Sequence, residues 1–272
     1  MARLLPVYVV LSLVSCGCVA LAAEGPVFYA SFEGSAVAVG PAGAEVAPLQ
    51  AEGLSYAPGM GGQAFRADGA TLLYPASVVP ADRGSLEIWA APLQAALGGG
   101  WYFLSGDATE WGPDGVPRLW MYEGSPRFDE DGGGRLISGP LPPGVKWQEG
   151  TWHQFVGTWD RAGQVALYVD GRLVVRKSVE PWEAPSREGF RIGSGIAIEG
   201  GGVLPAHALV GEVRIFDRVL SAEEVRSRFL QAGIPQLAVR LEGSLLSRAP
   251  ERLPITVENV GVRLPNRVHQ HP

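Results

Sequence analysis

The chain has 272 residues, of which 46% are hydrophobic, enough for one large β domain or two ordinary ones with a sizeable buried core. Its 28 acidic against 22 basic residues leave no basic stripe to neutralise a phosphate backbone, which argues against nucleic acid or an anionic membrane surface as partner. The 37 glycines and 22 prolines show no collagen-like period and fall between β-branched and aromatic runs, so many short strands joined by tight turns are expected.

The first 22 residues read as an export signal: Arg3 supplies the charge, "LLPVYVVLSLV" an apolar core too short to span a bilayer, and Ala20-Leu21-Ala22 a small-residue cleavage site. Both cysteines, Cys16 and Cys18, lie inside this leader, so cleavage after Ala22 leaves no thiol for a disulfide. In the alternative reading, Leu13-Val14-Ser15-Cys16 is similar to a bacterial lipobox, with Cys16 as a lipid anchor. Either route places the mature chain outside the cytoplasm, secreted, periplasmic or at the cell surface.

From Ala64 to Arg218 strand-like pieces recur at short intervals, among them "GSLEIWAAPL", "WYFLSG", "RLWMYEG", "WHQFVGTWD", "QVALYVDG" and "ALVGEVRIFDR". That spacing predicts an all-β antiparallel sandwich or barrel, not βαβ units. Asp170-Gly171 suits a two-residue type I′ hairpin loop, because both positions need positive φ. The loop sets a register in which Leu167 pairs with Val174, Tyr168 with Leu173 and Ala166 with Val175. Trp152, Phe155 and Trp159 on the preceding strand are expected to be core.

One short helix is expected after Ser221: Ser221 and Glu224 make a capping box, Leu220 and Val225 a hydrophobic staple, and Gly233 can close the C-terminus. Val225 and Phe229 form the stripe that docks on the sandwich. Residues 235–272 read as a linker and the incomplete start of a further β domain, poorly ordered in isolation. The main domain is expected over residues 24–234.

Four motifs in order, "GSLEIWAAP", "TWHQFVGTWD", "VALYVDGRLV" and "ALVGEVRIFDRVLSAEEV", resemble the laminin G-like, concanavalin A-like jelly-roll family. The resemblance covers about residues 26–233 and implies two antiparallel sheets face to face, a domain used mostly for binding or adhesion, and a fold-pattern role for His153 and its neighbouring aspartates. It also implies a calcium site in relatives that places an aspartate where this chain has Gly211. Glu212, one position along, is expected to point to the opposite sheet face.

The resemblance also implies an enzyme alternative, since related folds host glycoside hydrolases with two carboxylates on one strand; no E-x-D-x-x-E run occurs here. "FDEDGGG" is read as a flexible acidic loop in which Asp129 and Asp131 are weak metal candidates; as an EF-hand it fails at Gly133 and Pro140. No zincin spacing joins His153, His207, His269 and His271, and no cofactor fingerprint is present. Trp111 stands in a turn-rich segment where it could stack on a sugar, with Asp107 and Asp114 to accept hydroxyl hydrogen bonds. The expected function is a non-catalytic exported module that recognises a glycan or protein at the cell envelope; a structural spacer is the second reading.

Overall fold

The computed structural model describes residues 25–94, 100–106, 116–129, 136–181, 188–198 and 202–232. Residues 1–24 with Cys16, residues 107–115 with Asp107, Trp111 and Asp114, Asp131 and the residues from Gly233 onward lie outside the described residues.

Among the described residues, strands assemble into two large antiparallel sheets. The larger has ten strands: Arg172–Ser178, Gln164–Val169, His153–Asp160, Arg83–Pro92, Ala208–Phe216, Phe28–Ala30, Ala38–Val39 and Glu45–Val46 lie side by side in that order. Gln63–Ala67 pairs with Ala208–Phe216, and Tyr56–Pro58 with Gln63–Ala67. The smaller has seven, in the order Ile137–Ser138, Ser125–Asp129, Arg118–Tyr122, Gly100–Gly106, Gly189–Ile192, Thr71–Pro75 and Gln50–Glu52. A ribbon of Ser194–Ile198 and Gly202–Pro205 forms a separate pair.

Side-chain alternation decides what lies between the sheets. Leu86, Ile88, Phe155, Trp159, Val213 and Ile215 of the larger sheet meet Leu72, Tyr74, Phe103, Leu119, Phe128 and Phe190 of the smaller in one core. Gly157 shares the inward face with Phe155 and Trp159, and the Phe128 ring fills the space its side chain would take. The larger sheet is also covered on its outer face, which explains why Arg83–Pro92 is buried at every position after Arg83. There Val156, Ala166, Tyr168 and Phe216 make a second buried cluster with Leu220 and Val225.

That cover is the expected helix, described over 222–232. Glu224 donates its N–H to Ser221 Oγ at 3.2 Å and accepts the Ser221 N–H at 2.9 Å, the reciprocal capping box. Leu220 and Val225 are both buried, as a staple requires. Phe229 stacks on Trp89 with ring centroids 5.9 Å apart and planes 6° from parallel.

The hairpin turn is as expected, with φ of 51° at Asp170 and 70° at Gly171. Its register needs correction. Tyr168 pairs with Leu173, but Leu167 then pairs with Val175 and Ala166 with Arg176, because a bulge takes up Val174. Gly171 has a second reason to be glycine: a side chain there would begin 3.1 Å from the backbone of Arg226 in the helix. Trp159 and Phe155 are core, but Trp152 precedes its strand and is only half-buried.

Candidate functional site

The described strands that flank the residues expected to carry ligand have those ends on one side of the smaller sheet. Residues 107–115 follow the strand that ends at Gly106 and precede the one that starts at Arg118, while 130–135 follow Asp129, the cross-strand partner of Arg118. Asp107, Trp111 and Asp114 lie in the first segment and Asp131 in the second. Asp129 itself does not stand in a flexible loop: it closes a strand, is 3% exposed, and accepts a 2.9 Å hydrogen bond from Arg118 Nη2. A carboxylate compensated this way inside the sheet is spent on the fold. Among the described residues no group of three His, Cys, Asp or Glu side chains is arranged to hold a metal ion.

The outer face of the larger sheet holds a polar centre that the sequence reading missed. Glu87 alternates with Leu86 and Ile88, so it points away from the core and under the helix, where it is 1% exposed. Its Oε1 accepts from Gln154 Nε2 at 2.7 Å, and its Oε2 accepts from Arg228 Nε at 2.7 Å and Nη2 at 2.6 Å. Arg214 Nη1 lies 3.7 Å from the same oxygen and binds Glu212 through Nη2 at 2.7 Å. Tyr29 donates its hydroxyl to Glu212 at 2.9 Å; burial, reinforced by that carboxylate, holds the phenol above its usual pKa. Beside this network opens a cleft of about 560 Å³, lined by Glu33, Gln63, Trp89 and Glu212 among others. Pro26 and Ala232, near the two ends of the described domain, line the same cleft.

Gly211 also lines that cleft, which corrects the expectation that Glu212 faces the other way. Val210 pairs with Ala90 and Glu212 with Trp89, so Gly211 is the unpaired residue of a bulge, and the extra residue brings both positions to one side. A side chain at Gly211 would begin 3.0 Å from the Trp152 indole. The residues present do not fit the calcium implied by the resemblance. Gly211 brings no side-chain oxygen, Trp152 fills the room for one, Glu87 and Glu212 are bound to arginine, and Glu33 accepts the Gln63 N–H at 2.8 Å.

His153 and Asp170 form a pair with the look of a catalytic dyad. His153 Nδ1 lies 2.9 Å from Asp170 Oδ2, Asp170 Oδ1 accepts the Gln154 N–H at 3.0 Å, and His153 Nε2 lies 3.0 Å from the Lys146 carbonyl. The ring is 4% exposed and tied at both nitrogens, so it braces the hairpin turn against the preceding loop. Asp160 likewise accepts the Ala162 N–H at 2.9 Å and shapes its own turn. A second His–Asp pair, missed in the sequence because its members are far apart, joins exposed Asp68 to His207 at 2.8 Å.

The outer face of the smaller sheet has a different chemistry. Tyr102 and Trp120 stack there, centroids 5.5 Å apart, and the ribbon lies over them: Gly195 sits so close to the Tyr102 ring that any side chain would collide with it. Three arginines share this face, since Arg118, Arg127 and Arg191 alternate with the core residues Leu119, Phe128 and Phe190. The Arg127 guanidinium lies 4.2 Å from the Tyr122 ring centroid.

Comparison with solved structures shows the same fold. The binding domain of a botulinum neurotoxin DC in complex with SialylT superposes with a TM-score of 0.56 at 9% identity, covering 76% of this chain and 51% of that one. The same toxin's binding domain in complex with rat synaptotagmin II gives 0.56 at 10%, covering 76% and 51%. The serotype G binding domain gives 0.57 at 14%, again covering 76% and 51%. The chain thus spans about half the length of these solved chains. No curated protein matches it. Residues 66–226, more than half of the sequence, match the laminin G type of the family described as the concanavalin A-like lectin/glucanases superfamily, and with its two facing antiparallel sheets the chain belongs to that superfamily.

Proposed function

We propose that the chain is a non-catalytic binding module, exported from the cytoplasm, that recognises a glycan or a protein at the cell envelope. The observation that carries this reading is how the carboxylates of the outer cleft are used. Glu87 and Glu212 lie on neighbouring strands and line one cleft, where a glycoside hydrolase would need two free carboxylates. Yet Glu87 gives one oxygen to Gln154 and the other to Arg228, and Glu212 is shared between Tyr29 and Arg214. Neither is left to donate a proton to a leaving group or to attack an anomeric carbon.

The solved neighbours support binding as the use of such a scaffold, since their titles name SialylT and synaptotagmin II as bound partners. Trp111 with Asp107 and Asp114 is the first choice for sugar contact in this chain. The 22-residue leader supports export, and the mass of the mature N-terminus separates cleavage after Ala22 from a lipid on Cys16. The test of function exposes the full chain to a glycan array and to envelope extracts, with reducing-sugar release measured in parallel on a polysaccharide panel. Retention without release is the expected result. Clear turnover would overturn the proposal, and a chain that captures nothing is a structural spacer.

A further inference from the structure

We infer that the outer face of the smaller sheet is an acidic-glycan site, with Arg127 and Arg191 as its anion contacts. The inference rests on the binding reading above and names the ligand class.

Arginine side chains inside a protein normally find acceptors for their N–H groups, because a buried guanidinium nitrogen without one forfeits the hydrogen bond it had in water. Arg118 has the carboxylate of Asp129. Arg127 and Arg191 differ: among the described residues neither guanidinium has a carboxylate, and their Nε atoms are buried without a hydrogen-bond partner. Both are half-buried, not free surface side chains. Arg127 lies over the Tyr122 ring and sits directly across from Trp120, diagonal to Arg118. Arg191 lies across from Ser105 and Leu73. A further carboxylate on this face, that of Glu52 on the edge strand, accepts from Gln50 at 3.0 Å.

An unpaired guanidinium stacked on an aromatic ring suits a carboxylate or sulfate, whose paired oxygens match its parallel N–H groups. Arg127 and Arg191 are three strands apart and offset along them, roughly 17 Å at the backbone. One small anion cannot reach both, so a polymer with repeated charges is favoured over a monosaccharide. Between the two arginines the ribbon packs on Tyr102, which stacks on Trp120.

The test uses the full chain with dextran sulfate, polygalacturonate and neutral dextran, and with Arg127→Gln, Arg191→Gln, the double variant and Arg127→Lys. The charged polymers should bind and neutral dextran should not; which of the two binds more tightly separates sulfate from carboxylate. Affinity should fall as salt is raised, and by about tenfold for each Arg→Gln change, with Arg127→Lys only partly restoring it. Unchanged melting temperatures would show that the variants fold. Charged polymers that bind the double variant as tightly as the parent, or neutral glycans that bind while charged ones do not, would overturn the inference and leave the binding reading standing. Failure to bind any glycan or envelope protein would overturn both.

Discussion

Arg228 reaches back 141 positions in sequence to Glu87 and places two nitrogens, Nε at 2.7 Å and Nη2 at 2.6 Å, on one oxygen of a carboxylate that is 1% exposed. The contact fastens the last helix to the centre of the larger sheet. Removal of either partner leaves the other with an uncompensated charge, at worst in the buried position. Arg228→Ala should therefore cost about 2 kcal/mol in denaturant unfolding, since hydrogen bonds to charged groups contribute on that order. The joint change Glu87→Gln with Arg228→Met should recover much of the loss. A double variant no better than Arg228→Ala would show that the pair does not act as a unit.

At Gly157 the two sheets approach each other through a missing side chain. A Cβ there would lie 2.2 Å from the Phe128 ring, which is fully buried in the opposite sheet. Gly157→Ala should destabilise by about 1–3 kcal/mol, the usual penalty of overpacking a core. Denaturation midpoints of the parent and variant decide it; equal midpoints would mean that Phe128 has room to retreat.

Acid should loosen two surface ties. The hydrogen bond from His207 holds Asp68 below its ordinary 3.8, and at Glu224 the effect of burial is outweighed by the Ser221 N–H and Arg218, which hold it below 4.5. A carboxylate with a depressed folded-state pKa stabilises the protein above its unfolded value and loses that contribution as pH falls through the folded value. The melting temperature should therefore drop below about pH 4. In Asp68→Asn with Glu224→Gln that drop should be smaller, from a lower starting point. A variant with the same acid limb as the parent would remove these two groups from the account.

Trp111→Ala tests the sugar platform directly. Loss of one stacking indole should weaken glycan binding by about 2 kcal/mol, roughly thirtyfold, while the melting temperature stays nearly unchanged. A melting temperature lowered by many degrees would make Trp111 a core residue and end its candidacy.

Much of the sandwich was legible because its signals are local. The capping box needs only Ser221 and Glu224, the type I′ turn only Asp170 and Gly171, and the core strands only their alternation. The hairpin register failed at Val174, where a bulge absorbs one residue without a residue type that announces it. The same blindness hid the bulge at Gly211, which turned Glu212 to the side of the cleft. Glu87 was present in "GSLEIWAAP" as a lone charge in an apolar strand, a sign of a buried compensated carboxylate. Its partners Gln154, Arg214 and Arg228 come from three other places in the chain, and only the fold brings them together.

Pro26 and Ala232 border the same cleft, so the path into the sandwich and the path out of it run side by side. A ligand seated in that cleft would therefore touch both ends of the described sandwich at once, while the arginines of the smaller sheet face away from it on the far side of the core.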